Sequence, residues 1–427
     1  MSEDHPSDKE CCDTSIFPIR NSAKKTTKEQ SCNDCKECDD HNDARGVAPV
    51  SVVRRVKAMT KRQIPDDIIH NEELNKIIAI LPNNYNFEIH KTIWRIRTEG
   101  STVVALQFPE GLLMYACVIA DILTKFSGVQ VMVLGDVTYG ACCIDDFTAQ
   151  KLGADMLVHY GHSCLVPVNV TKIKVVYVFV EINFNERHMI DCIKKAFAPE
   201  TRLALMGTIQ FTAVIHKATA ELCNYYPHCV IPQAKPLSAG ETLGCTSPVF
   251  NDVDVLVFVA DGRFHLEAAM IRNPHVKAYR YDPYGKYLTF EEYEVEKMKA
   301  IRLAAINKAR TANTFGLVLG TLGRQGNPPI FQRLHKLLKS RGKKVIPFLM
   351  AEINPDKLSL ISSVEVWIQI ACPRLSIDWS GGFDKPILTP YEVEVAMDET
   401  KWQEVYPMDF YANEGNNWSA GAVQNRR

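Results

Sequence analysis

Three times along this chain an apolar segment runs through a polar turn into an amphipathic helix, and further apolar segments follow. The leading segments are TVVALQF (102–108), TRLALMG (201–207) and TFGLVLG (314–320). Helices are expected over EGLLMYACVIADILTKF, TAVIHKATAELCNYY and PPIFQRLHKLLKSRG. Second strands are expected over VQVMVLGD, HCVIPQ and KKVIPFLM, and third strands over ADMLVHY, VDVLVFVA and VEVWIQIA. Strands that are apolar on both faces and separated by helices belong in parallel sheets covered on both sides. A repeat of roughly 100–110 residues holds one small unit of this kind. The expected fold is therefore α/β: three related domains, each a small parallel sheet flanked by helices, in a pseudo-threefold arrangement about a common centre.

The 427 residues also exceed what one compact core usually holds. Domain boundaries are expected at 61–190, 191–305 and 306–412, between tails at 1–60 and 413–427. Order is expected to begin near Ile64, where IPDDIIHNEELNKIIAILP carries Pro65 near the start of a short helix and Pro82 at its close. Before it, Lys, Asp, Asn and Ser dominate without apolar periodicity, a composition that predicts disorder. This tail holds Cys11, Cys12, Cys32, Cys35 and Cys38, and its CNDCKEC run lacks the second half of a four-ligand zinc site, so no essential metal is expected there. A formal net charge of −1 gives no electrostatic reason for a nucleic-acid or anionic-membrane partner. No apolar run approaches the ~18 residues of a membrane span, and the polar MSEDHPSDKE start is unlike a secretory signal. A cytoplasmic location is expected. In that reducing compartment the 14 cysteines pose a question of metal binding or reactivity rather than of disulfides.

In open parallel sheets, ligands lie beyond the carboxyl ends of the strands. The loop after the second strand of the first repeat, GDVTYGACCIDDF, carries Cys142 and Cys143. Its counterpart in the second repeat, SAGETLGCTSP, carries Cys245, and IACPRLSIDW after the third strand of the third repeat carries Cys372. Each repeat thus offers a thiol at the same edge. Iron–sulfur clusters are held by cysteine thiolates, and three protein ligands leave one iron open. The plain alternative is that these are small buried hydrophobes, the usual fate of free cysteine. Cys117, Cys192, Cys223 and Cys229, on or beside helices, fit that alternative better.

Several segments carry a more specific signal. LPNNYNFEIHKTIW (81–94), ALQFPEGLLMYA (105–116), GDVTYGACCIDDFTAQKLGADMLVHYGHSCLVPV (135–168) and ACPRLSIDW (371–379) resemble the first-subunit family of the 2-(3-amino-3-carboxypropyl)histidine synthases of diphthamide biosynthesis. The likeness runs from about residue 62 to about 410. It implies a three-domain fold around one [4Fe-4S] cluster, with ligands that carry over to Cys142, Cys245 and Cys372. Cys143, adjacent to Cys142, and Cys164 in HYGHSCLVP are the rivals for the first-domain place. The resemblance implies transfer of a 3-amino-3-carboxypropyl group from S-adenosylmethionine (SAM) to C2 of a histidine imidazole in translation elongation factor 2. This is noncanonical radical SAM chemistry in which the Cγ–S bond breaks. It further implies a heterodimer with the second synthase subunit and a small metal-containing protein as electron donor. A non-catalytic partner subunit and a three-repeat binding scaffold are the competing readings.

Candidate cosubstrate contacts lie on the strand-end loops. Gln107, Glu110 and Gly111 follow the first strand of the first repeat, where helix N–H groups can meet a carboxylate. Gly320, Gly323 and Arg324 occupy the matching loop of the third repeat, and Arg374 lies two residues beyond Cys372; either arginine is a candidate for the SAM carboxylate. Asp145 and Asp146 read as caps of the following helix, and His159 and His162 as hydrogen-bonded residues near the cluster. No general acid or base is assigned.

Overall fold

The computed structural model describes residues 64–136 and 138–421. The expectations for the cysteine-containing tail at 1–60 lie outside the described residues. Those described form one compact unit that holds three four-stranded sheets and a two-stranded ribbon.

The strands are, in chain order, β1 (Tyr85–Asn86), β2 (Val103–Gln107), β3 (Gln130–Leu134), β4 (Met156–Tyr160), β5 (Lys174–Val178), β6 (Glu181–Ile182), β7 (Leu203–Gly207), β8 (Val255–Val259), β9 (Lys277–Asp282), β10 (Tyr287–Glu291), β11 (Thr314–Gly320), β12 (Lys344–Met350), β13 (Val366–Ile370) and β14 (Ile387–Leu388). The first sheet runs β3-β2-β4-β5 and the third β12-β11-β13-β14, both wholly parallel. In each, the second strand lies on one side of the first and the third strand on the other. The second sheet runs β10-β9-β8-β7, with β10 antiparallel at its edge. Its expected second strand, HCVIPQ, shrinks to one parallel bridge between Val230 and Ala204, with Leu205 N–H donating to the Val230 carbonyl at 3.0 Å. The bridge occupies the place that β3 and β12 fill in the other sheets, so the repeat is kept in outline.

The central strands form because their side chains are apolar on both faces: β4, β7, β8 and β13 are buried along their whole length. Pro347 sits in β12, an edge strand, where a missing N–H donor is tolerated. Gly316 in β11 has no Cβ because the Trp367 indole of β13 lies against it. Helix entries are capped as the composition suggests. Asn327 accepts from Ile330 N–H at 3.1 Å before Pro328–Ser340, and Thr389 forms a reciprocal capping box with Glu392.

Two features hold the third sheet in place. Arg302, on the long helix Val295–Thr311, is fully buried and forks onto Glu392 at 2.6 and 2.8 Å, while donating to the carbonyls of Ser376 and Ile387 at 2.7 Å each. Tyr406 adds a hydroxyl donated to the same carboxylate at 2.9 Å. The chain then continues as a strap that crosses back to the Cys245 turn. Of residues 413–421, expected as a tail, Trp418, Ser419 and Ala420 are buried, while Glu414, Asn416 and Asn417 are exposed.

Candidate metal centre

Beyond β3, residues Ala141–Cys143 make a single 3-10 turn closed by Cys143 N–H on the Gly140 carbonyl at 2.9 Å. Gln107, at the end of β2, holds the turn from below. Its amide donates to the Cys143 carbonyl at 2.9 Å, its oxygen accepts Asp145 N–H at 3.3 Å, and the same oxygen lies 2.9 Å from His159 Nδ1. His159 in turn lies 3.2 Å from His162, so both imidazoles belong to a network that ends on the cysteine turn. Asp145 caps the next helix by accepting Thr148 N–H at 2.9 Å.

The loop after β11 grips this turn from the other side. Arg324 N–H donates to the Cys142 carbonyl at 2.9 Å. Gly323 adopts φ +53°, and a Cβ there would lie 2.5 Å from the Cys143 carbonyl group. The Arg324 guanidinium forks onto Asp146 at 2.8 and 2.6 Å and stacks 3.9 Å from the Phe147 ring centre. Gln325 donates to the Cys143 sulfur at 3.3 Å.

Cys245 sits in a tight turn in which Leu243 and Thr246 bridge each other, with Gly244 pressed under the Phe264 ring. Cys372 follows β13. Its carbonyl accepts from Gln369 at 3.0 Å, and the Gln369 oxygen takes Ala371 N–H at 2.9 Å. Arg374, buried, ties this loop to loops of the second sheet. It donates to the carbonyls of Gly244 at 3.2 Å and Phe264 at 2.7 Å, and pairs with Glu267 at 2.5 Å and Asp378 at 2.7 Å.

The expected anion-binding loop is therefore built differently. Both arginines are already paired with carboxylates and fasten one sheet's cysteine turn to the loops of another sheet. Gly320 and Gly323 allow close packing, against Ala371 and Cys143 respectively, rather than forming an open nest. Glu110 and Gly111 are exposed, at the start of a 3-10 segment, Glu110–Tyr115; the α-helix proper begins only at Ala116. An open cleft of about 540 Å³ does lie beyond the ends of β3 and β12, lined by Asp136, Tyr139, Leu322, Leu349, Glu352 and Lys357 among others, and none of the expected contacts lines it.

The cysteines from the three sheets lie within electrostatic reach of one another. The Cys142 thiol senses Cys143, Cys372 and Cys245, and Cys245 senses Cys372. Cys142 is pushed well above the ordinary thiol value by its hydrogen bond to Cys143, by burial and by the neighbouring sulfurs. Burial likewise raises Cys372, and takes Cys245 to about 12. Cys143 moves the other way, to about 7, because it accepts from Cys142 and from nearby backbone and Gln325 donors. Tyr411 packs in the same apolar cluster as Cys142 and Cys245. Cys164 is exposed, and the charged groups it senses are Glu241 and Lys91 rather than the other thiols. Cys117 and Cys223 are exposed too, unlike the buried hydrophobes expected.

Several desolvated thiols this close do not ionise together without a cation between them, since each new charge opposes the next. No three His, Cys, Asp or Glu side chains among the described residues converge as a single ion demands. A larger thiolate-bound group, which spreads its ligands wider, suits the donor set.

The chain matches the family model described as "Putative diphthamide synthesis protein" over residues 108–407. The chain belongs to the diphthamide synthesis family. Within that family it is similar to proteins named 2-(3-amino-3-carboxypropyl)histidine synthase subunit 1. It is 54% identical to the Gallus gallus protein, over 86% of this chain and 90% of that one. The Homo sapiens protein is 52% identical, over 88% of this chain and 86% of its own length. Among solved structures, Dph2 from Pyrococcus horikoshii, determined with a 4Fe-4S cluster, superposes with a TM-score of 0.64 at 26% identity, covering 76% of this chain and 93% of that one. As a diphthamide synthesis family member of this group, the chain is a transferase. No helix among its described residues is long and apolar enough to cross a membrane.

Proposed function

We propose that Cys142, Cys245 and Cys372 hold a [4Fe-4S] cluster, and that the chain transfers the 3-amino-3-carboxypropyl group of SAM to C2 of a histidine imidazole in translation elongation factor 2. This is the first step of diphthamide biosynthesis. The observation that carries the reading is the convergence of one cysteine loop from each of three sheets, fastened by Arg324 and Arg374. The 4Fe-4S cluster of the Pyrococcus protein supports it. Cys142 is preferred over Cys143 because the Cys143 sulfur is held by Gln325; both thiols lie within electrostatic reach of Cys372.

When bound, a reduced cluster supplies the single electron that cleavage of a sulfonium C–S bond requires. The residues of the chain bind and orient. Gln107 and Gly323 fix the turn that presents Cys142, and Arg374 fixes Cys372 relative to Cys245. Glu110 and Gly111 remain the expected contacts whose polar groups face solvent and can meet the cosubstrate. The name "subunit 1" of the relatives supports a heterodimer with a second synthase subunit. A small metal-containing protein as electron donor and a cytoplasmic setting complete the proposal. The test is anaerobic turnover of the reduced heterodimer with SAM and elongation factor 2. Methylthioadenosine and a modified histidine are expected by chromatography and mass spectrometry; 5′-deoxyadenosine as the main nucleoside overturns the bond assignment.

A further inference from the structure

His159 lies in β4 and His162 in the turn just beyond it, and the backbone of that turn is pinned on three sides. Gly161 N–H donates to the Val178 carbonyl at 2.8 Å. The Gly161 carbonyl accepts from the Gln210 amide, which arrives from beyond the end of β7 in the second sheet. Gly161 itself has φ +78°, and a Cβ there would lie 2.8 Å from the Pro109 ring. His162 is thus held, half-buried, where loops of the first and second sheets meet.

The hydrogen bonds around it leave one tautomer open to each ring. The Cys143 carbonyl can only accept, so the Gln107 NH2 faces it and the Gln107 oxygen faces Asp145 N–H. An amide oxygen also only accepts, so His159 carries its proton on Nδ1 and donates to Gln107 at 2.9 Å. His159 is fully buried, and desolvation holds its pKa well below the ordinary value, so the ring is neutral and its Nε2 bare. His162 must then donate its own Nδ1–H to that atom, across 3.2 Å. Burial, with His265 in electrostatic reach, takes His162 to about 4, so this ring is neutral too. Its Nε2 is left as a bare acceptor, with no hydrogen-bond partner among the described residues.

We propose that this chain of tautomers presents His162 Nε2 as a fixed acceptor for the ring N–H of the histidine that is modified. The inference rests on the proposed function. The C2 carbon of an imidazole lies between its two nitrogens, so a hydrogen bond to one N–H sets where C2 points. A neutral acceptor suits a neutral N–H, whereas the cationic groups of SAM call for a carboxylate. His162 is therefore a substrate-binding residue, and Gln107 and His159 position it through the same bonds that hold the cysteine turn.

Two measurements test this. In the 15N-labelled full chain without a cluster, nuclear magnetic resonance reads the protonation of each imidazole, with the two rings assigned by their loss in His159→Asn and His162→Gln. Both are expected as neutral Nδ1–H tautomers at pH 7; a charged ring or an Nε2–H tautomer at either position overturns the proposal. In the reduced heterodimer, His162→Leu is expected to raise the KM for elongation factor 2 roughly five- to tenfold, the worth of one hydrogen bond. Iron content and the dissociation constant of SAM stay unchanged. His162→Gln, whose side-chain oxygen reaches the Nε2 position, recovers most of the KM. A loss of SAM affinity at unchanged KM, or an equal loss in the Leu and Gln variants, contradicts the assignment. Absence of turnover in the wild-type heterodimer strikes the proposed function and with it the substrate named here; the spectrum needs neither cluster nor turnover and judges the tautomer chain by itself.

Discussion

Replacing Asp146 with Leu tests whether the loops of the first and third sheets are held at the cysteine turn by charge. The Asp146 carboxylate is fully buried and Arg324 retains 20% exposure, with two N–H···O contacts at 2.8 and 2.6 Å. Removing one partner of a buried pair costs about 3–5 kcal/mol, because the other charge is left uncompensated. The residual exposure of Arg324 places this pair at the low end, about 3 kcal/mol. Loss of the Lys172 amide's acceptor, now at 2.6 Å, adds about 1 kcal/mol. Arg324→Leu alone should cost a similar amount, whereas the double variant Asp146→Leu/Arg324→Leu should be more stable than either single one. Burial pushes the Asp146 carboxyl up, but the Arg324 guanidinium and Lys172 amide more than offset it and hold it below the ordinary 3.8. The stabilisation is thus whole above that value and is lost only as pH falls through the lower folded value. Across about pH 5–8 it is constant. Urea unfolding of the apo protein gives the free energies, and iron per chain after reconstitution reports the site. A single-variant loss below about 1 kcal/mol, or a double variant as unstable as the sum of the two, refutes the clamp.

Gly323→Ala brings a Cβ to within 2.5 Å of the Cys143 carbonyl at a positive φ, so both stability and iron loading should fall; unaltered iron content contradicts the packing role given to Gly323. Glu392→Ala leaves Arg302 buried and unpaired, and should cost about 3–5 kcal/mol in urea unfolding while sparing the cysteine loops of the first domain. Deleting residues 1–55 should leave cluster content and turnover unchanged, on the disordered composition of that segment; a large loss of iron shows that CNDCKEC binds metal.

The sheets were legible where strands are apolar on both faces. TFGLVLG matches β11 residue for residue, and TVVALQF and TRLALMG overrun β2 and β7 by one or two positions. What escaped were strands outside the three-strand repeat: β5, β9, β10 and the two-residue β1, β6 and β14, while HCVIPQ, expected as a strand, keeps only a single bridge. The cysteine loops could be found because they follow visible strands. Their fastenings could not, since Asp146 and Arg324 are 178 residues apart and a lone charge leaves no local mark of its partner. The sequence offers Arg324 and Arg374 as candidates for the SAM carboxylate for the same reason. The strap was misread because NEGNNW is polar. Tyr406, Phe410, Tyr411 and Trp418 were the available signal, four large aromatics in a segment too short to bury them by itself.

The central claim is that three domains each give one thiolate to one cluster. Cys142→Ala, Cys245→Ala and Cys372→Ala remove an anchor while leaving only a small cavity, so each chain should fold. Iron and sulfide per chain, with the visible absorption of anaerobically reconstituted protein, is the direct measurement, and Cys143→Ala and Cys164→Ala serve as controls. The account predicts cluster loss or degradation in all three ligand variants and near wild-type content in both controls. Full cluster content in any of the three, or loss in Cys143→Ala with retention in Cys142→Ala, contradicts the ligand set.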